Sequence, residues 1–206
     1  AFDADHRSVP AHFEITDATH RDFTAPLIDY AHGNSIEVDT DGNLILSSRH
    51  MDEVTKISRR SGKIIWRLGG KHNEFEFIGD PIGFSHQHDA RRTWNGKLSL
   101  YDNGNCLDPD YSRGVEYDIN EVTKTATQIW DYRHLPDDLF ALGTGNVQRR
   151  SSGGTMICWG FAARVSDLHP DGTEALDVFF DPGIRTYRAY RQTWDHTRFT
   201  LQPTSL

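Results

Sequence analysis

Apolar and polar residues alternate along most of this chain, and the alternation comes in hairpin-sized pieces. Ser35-Ile36-Glu37-Val38-Asp39 alternates, Asp41-Gly42 turns the chain, and residues 44–49 return. An Asp-Gly pair between alternating runs is a strong hairpin signal. Residues 53–57 predict a third strand, and Ser61-Gly62 leads into a fourth over 63–68. The same order then recurs. Residues 88–92 pass through Asn95-Gly96 to 97–102, followed by strands over 114–119 and 125–132. A third set runs 145–150, 155–160, 163–167 and 175–180, with turns at Gly153-Gly154 and Pro170-Asp171-Gly172. Residues 136–142 carry a short helical pattern of at most two turns.

Four-stranded units at a period of roughly 50 residues predict an all-β fold, a β-propeller of four-stranded blades. The expected blades cover 31–70, 85–134 and 143–181, with a closing strand over 186–196 and an irregular lead-in over 1–30. Pro10 and Pro26 interrupt any regular element in that lead-in. A closed propeller takes four to eight blades. Three therefore predict a partial ring, or one completed by another chain or a missing segment.

The charge is −8, which argues against nucleic acid or an anionic membrane as partner. No apolar run approaches the roughly 20 residues a membrane helix needs. The first residues, Ala1-Phe2-Asp3-Ala4, carry neither an initiator Met nor an apolar signal region, as expected of a processed product or a piece of a longer chain. Cys106 and Cys158 are the only cysteines and make no disulfide framework. Cys158, in Met156-Ile157-Cys158-Trp159, reads as a buried thiol.

The first two cassettes each open on histidines, at His32 and at His86 and His88. Radial blades would bring them together near one axis. His86 and His88 are two apart, so a strand points both to one face. With His32 they could hold zinc, but no spacing fixes a further ligand and no metal is expected. Asn146 and Gln148 open the third cassette at the analogous position. Arg49 offers a planar fork of donors and Asn34 an amide, both suited to an anion.

An imidazole nucleophile needs an acceptor on its other nitrogen. Asp89 is badly placed for this, because strand neighbours face opposite sides. A backbone carbonyl or another side chain must serve. Asp102-Asn103-Gly104-Asn105 reads as a turn or as cavity lining, and residues 39–43 as a hairpin rather than a calcium loop. Trp66, Trp130 and Trp159 read as core, and Tyr187 and Tyr190 as packing or as a frame for an aromatic acceptor.

Seven motifs occur in a telling order: His32-Gly33-Asn34-Ser35-Ile36, Ser47-Ser48-Arg49-His50, Trp66-Arg67-Leu68-Gly69-Gly70, Gln87-His88-Asp89-Ala90, Asp102-Asn103-Gly104, Gly145-Asn146-Val147-Gln148 and Tyr187-Arg188-Ala189-Tyr190. From about Asp29 to about Arg191 the chain resembles the arylsulfotransferase (ASST-type) β-propellers, closer to their less characterised branch. The resemblance implies sulfuryl transfer from a phenolic sulfate ester to a phenolic acceptor through a covalent sulfohistidine. His88 stands where that family has its nucleophile. His32 and Asn34 match a sulfate-binding His-x-Asn pair, and Arg49 a sulfate-binding arginine. His86 and Asn146 are expected to bind substrate beside them. The resemblance further implies a small phenolic substrate, no cofactor, and a secreted or periplasmic location. The family has one more active-site histidine on an earlier blade. His6, His12 and His20 lack its context, and the chain is expected to begin after it.

Two rival functions share the scaffold: a metal-dependent lyase or hydrolase, and a non-catalytic ligand-binding propeller. Propellers host many chemistries, so the site decides between them.

Overall fold

A computed structural model describes residues 31–193, apart from 106–108, 135 and 182. Three antiparallel meanders account for most of it. The first sheet is β1 (Gly33–Val38), β2 (Leu44–Ser48), β3 (Glu53–Ile57) and β4 (Ile64–Gly69), in that spatial order. The second contains β5 (Glu76–Ile78), β6 (His88–Arg92), β7 (Leu98–Asp102), β8 (Arg113–Asn120) and β9 (Thr125–Tyr132), ordered β5-β9-β8-β7-β6. The third is β10 (Asn146–Arg149), β11 (Thr155–Cys158), β12 (Arg164–Leu168) and β13 (Glu174–Phe179). Each meander starts on the inside: β1 packs on β6, and β6 on β10. The protein is all-β, with sheets arranged as β-propeller blades. Among the described residues no helix is long and apolar enough to cross a membrane.

The turn chemistry explains the meanders. At the first hairpin the Asp39 N–H donates to Asn43 O and the Gly42 N–H to Asp39 O, both at 2.8 Å, with Gly42 at φ 81°. Only glycine takes that angle cheaply. The acids of this hairpin bind cations already in the chain. Lys56 Nζ reaches Asp39, Asp41 and Glu121 at 2.7–2.9 Å, and Arg92 grips Asp39 through two nitrogens. Asp39 is held well below the usual carboxylate range, because these partners outweigh its burial.

Apolar side chains fill the two seams. Ile45, Val54, Trp66 and Leu68 meet Leu98, Leu100, Val115 and Tyr117 between the first and second sheets. Tyr101, Val147, Ile157 and Trp159 fill the seam between the second and third. Trp66 and Trp159 are fully buried, and Trp130 packs against the second cluster, with the Arg149 guanidinium 4.1 Å from its ring centroid. Cys158 is buried, and burial raises its thiol pKa.

Three features differ from the sequence pattern. β5 is an extra edge strand, parallel to β9, too short to show alternation. Residues 136–142 form no helix. Their carbonyls instead accept bonds from other segments, including Ala141 O from Asn103 and Leu142 O from Arg49. The closing strand expected over 186–196 is not a strand within 186–193, and 194–196 lie outside the described residues. Side chains of β10 replace the ladder there. Asn146 bonds both the N–H and the C=O of Ala189, and Gln148 does the same for Arg191. A side-chain amide carries the donor and acceptor of a peptide, so two amides at alternate positions hold an extended segment.

A buried ionic node fixes the chain that leads into β6. Arg113 Nη2 reaches Asp80 Oδ2 and Gly83 O at 2.7 Å, and its Nε reaches Asp102 Oδ2 at 3.0 Å. Asp102 Oδ1 accepts the N–H groups of Ser85 and Gly104 at 2.9 and 3.0 Å. Removing one partner of a buried pair leaves an uncompensated charge. We expect Arg113→Met to lower the unfolding free energy by about 3–5 kcal/mol in urea titrations. By contrast, breaking the exposed Lys97–Asp118 pair should cost under about 1 kcal/mol.

Candidate active site

His88 opens β6 and is buried, so its two ring nitrogens meet fixed partners. Nδ1 lies 2.7 Å from Asn103 Oδ1 and 3.2 Å from His86 O. Asn103 is itself fully buried, and its Nδ2 donates to Ala141 O at 2.8 Å and Thr144 O at 3.1 Å. Two carbonyls therefore orient the amide, which turns its oxygen to His88. An amide oxygen only accepts, so Nδ1 carries the proton and Nε2 keeps its lone pair. Nε2 accepts a weak bond from the Thr144 N–H at 3.3 Å. Burial lowers the His88 pKa to about 3, helped by the Arg49 and His32 charges and opposed by the bond to Asn103.

Arg49 and His32 thus lie within electrostatic reach of His88. Arg49 sits in a 3-10 turn (Arg49–Met51) just after β2, is buried, and donates to Leu142 O at 2.7 Å. His32 stands exposed before β1, its ring 4.8 Å from that of His50, which is 6.0 Å from His86. His50 was quoted in the sequence only as part of a motif. Here it links the two histidine clusters.

His86 is not on a strand. It precedes β6 at φ 55°, so the same-face rule for residues two apart does not apply. Its Nδ1 faces Asp52 Oδ1 at 3.3 Å and both side chains are fully buried. The left-handed residues also realign the cassettes. His32, His86 and Thr144 share a positive φ at the same point of successive sheets. One turn of register further, Asn34, His88 and Asn146 correspond, so the partner of His88 in the first sheet is Asn34, not His32.

Asn34 spans the first seam: its Nδ2 donates to Gln87 O at 2.7 Å and its Oδ1 accepts the Asp89 N–H at 3.2 Å. Asn146 is engaged with Ala189, as above. Asp89 bonds Arg91 Nε at 2.8 Å and faces Arg188 and Tyr190, so it serves the 187–191 segment and not His88. The histidines at 32, 86 and 88 do not gather as a three-ligand cluster. Among the described residues only His134, Glu174 and Asp177 do.

Residues 4–178 match the family model described as arylsulfotransferase (ASST). The chain belongs to the arylsulfotransferase family. It is 28% identical to the arylsulfate sulfotransferase AssT of Escherichia coli over 175 residues, covering 68% of this chain and 29% of that protein. The chain thus spans less than a third of this curated relative's length. Among solved structures, it is similar to a Bacteroides caccae protein of unknown function, at 14% identity and TM-score 0.48 over 76% of this chain and 49% of that one. It is also similar to a streptogramin B lyase, at 12% identity and TM-score 0.48 over 78% and 45%.

For this arylsulfotransferase-family chain, sequence reasoning left open what would orient His88 and did not single out Thr144. Asn103 was visible only as a turn or lining residue. Its role depends on carbonyls 38 and 41 residues away, which no local pattern reports.

The protonation state has a measurable consequence. The unfolded imidazole accepts a proton near pH 6.5 and the folded one only near 3, so the unfolded chain binds more protons between them. Stability held by neutral His88 is present above about pH 6.5 and is lost as pH falls toward 3. We expect nitrogen-15 spectra to show a neutral, Nδ1-protonated His88 at pH 5, and Asn103→Ala to mix the tautomers. A His88 charged at pH 5 contradicts the assignment.

Proposed function

We propose that the protein transfers a sulfuryl group between phenols, with His88 Nε2 as the covalent nucleophile. Three things support this reading: the family match, the name of the Escherichia coli relative, and one feature of the site. That feature is a buried imidazole whose lone pair points away from a locked Nδ1–H, beside a buried guanidinium.

The steps follow from the groups present. His88 Nε2 attacks the sulfur of an aryl sulfate, an N–S bond forms, and the S–O bond to the leaving phenolate breaks. The Thr144 N–H, which rests on Nε2, is released to a sulfuryl oxygen. Positive charge grows on the ring, and the Asn103 oxygen accepts the Nδ1–H more strongly as it does. Arg49 and His32 stabilise the negative charge on the sulfuryl and phenolate oxygens. An acceptor phenol then attacks the same sulfur, its proton passing through solvent to the released phenolate, and the N–S bond breaks to return neutral His88. The donor and product are both aryl sulfates, so the exchange needs no nucleotide. Asn34 positions the 87–89 backbone, and its remaining amide hydrogen is what it can offer the sulfate. His86 acts through the main chain, because its carbonyl also faces His88 Nδ1.

The test is turnover of a chromogenic aryl sulfate with a phenol acceptor. His88→Ala should abolish it, and alkaline mass spectrometry of wild type should trap one sulfuryl group on His88. Arg49→Met should lower kcat about 10²–10³-fold, the usual loss when one donor to a developing oxyanion goes. Asn103→Ala should cost about 10²-fold or more, as when an imidazole loses the partner that sets its tautomer. Equal turnover by wild type and His88→Ala would overturn the proposal.

A further inference from the structure

A second group of ligand-type side chains lies on the seam between the second and third sheets, apart from the residues around His88. His134 follows the end of β9, while Glu174 and Asp177 lie on β13, the outer strand of the third sheet. Their ligand atoms all fall within 4.8 Å of one another. We propose that His134, Glu174 and Asp177 bind one divalent cation of the zinc type, which ties the exit of the second blade to the edge of the third.

The orientation of His134 carries the proposal. Its Nδ1 lies 3.1 Å from Asp137 O, a pure acceptor, so Nδ1 holds the proton and Nε2 the lone pair. The side chain is only 5% exposed, and Nε2 has no hydrogen-bond partner. It faces Glu174 Oε1 at 3.3 Å. An imidazole nitrogen and a carboxylate oxygen stay that close only with a positive charge between them, either a proton on Nε2 or a cation bound by both. Trp159 packs edge-on to the imidazole at 5.7 Å and fixes its plane. Metal-ligating histidines commonly donate one ring N–H to a backbone carbonyl, as His134 does, and bind through the other nitrogen.

The carboxylates are also held. Arg164 bonds both oxygens of Asp177, and Tyr132 OH donates to Glu174 Oε1 at 3.4 Å. Each oxygen keeps a lone pair for a metal. A tetrahedral zinc with bonds of about 2.1 Å needs ligand atoms about 3.4 Å apart, so a closure of little more than 1 Å completes the site. The imidazole selects zinc over magnesium or calcium, which prefer oxygen alone. Three protein ligands leave the fourth position to water.

Calorimetric titration of chelator-stripped protein with zinc chloride tests this, with thermal melts alongside. Wild type should bind one equivalent, and zinc but not magnesium should raise its Tm. His134→Ala and Glu174→Gln should each weaken binding about tenfold or more, a loss of about 1.4 kcal/mol. Glu174 is exposed, so its variant keeps the fold. His88→Ala should bind zinc as wild type does, which separates this site from the histidines at 32, 50, 86 and 88. Absence of zinc binding by wild type means a protonated His134–Glu174 ion pair and overturns the proposal. Binding that survives in both cluster variants, or disappears in His88→Ala, overturns it as well.

Discussion

The hydrogen bond from His88 Nδ1 to Asn103 Oδ1 sets the chemistry of the whole central region. An imidazole can be a nucleophile, an acid or a ligand, and the partner of one nitrogen decides which. A carboxylate in place of Asn103 would hold the same tautomer but would also draw the pKa up, toward a charged ring with no lone pair. A neutral amide oxygen holds the tautomer without that penalty. Burial and the Arg49 charge then keep the ring neutral, which is the state that can attack. The amide can do this only because Ala141 O and Thr144 O occupy its donors and prevent a flip.

That bond lies within the second sheet, but its neighbours come from all three, and the rest of the fold keeps them in register. His88 belongs to the second sheet, Asn34 and Arg49 to the first, and the 141–146 loop leads into the third. The seams are closed at several depths. Gln87 Nε2 reaches into the first sheet, to Ser47 Oγ at 3.0 Å and Glu53 O at 3.1 Å. The Arg113 node anchors the chain on both sides, through Ser85 before His86 and Gly104 after Asn103. Farther out, Arg92 of the second sheet binds Asp39 of the first, and Lys56 of the first sheet reaches Glu121 of the second across the same seam. Arg188 returns from the far end of the chain to donate to Asn34 O at 2.6 Å, so the third sheet's trailing segment also reaches the first.

The hairpins were legible because period-two alternation and Gly turns are local signals. What failed was everything decided by a distant partner. β5 has three residues and a parallel neighbour some 50 positions later in the chain, so nothing in its own sequence marks it. The 186–193 segment has strand-like composition, but β10 meets it with amide side chains and not with a ladder. For the site, residue types were readable and roles were not. His32, Arg49 and His88 were readable as candidate anion ligands, and Arg49 lies near enough to His88 to help hold its pKa down. His86 was misplaced by assuming that the strand began two residues earlier.

The cause of that misplacement recurs in every sheet. His32, His86, Asp89 and Thr144 all adopt left-handed backbone angles, as does Asp52 beside them. Non-glycine residues seldom do so, and for a β-branched residue such as Thr144 it is a true outlier. Such strain persists only where the surroundings over-determine it. Here they do. Thr144 is held by its own hydroxyl on Thr186 O, by its carbonyl on Asn103 and by its N–H on His88. Asp89 is held by Asn34 through its N–H and by Arg91 through its carboxylate. At the inner end of each sheet the chain kinks left-handed just before the first strand, which lets the Thr144 N–H reach His88 Nε2 and the His86 N–H reach Asp52 Oδ1. A regular strand would send alternate side chains into the seams instead. The repeated kink, more than any single histidine, is what the inner ends of the three sheets have in common.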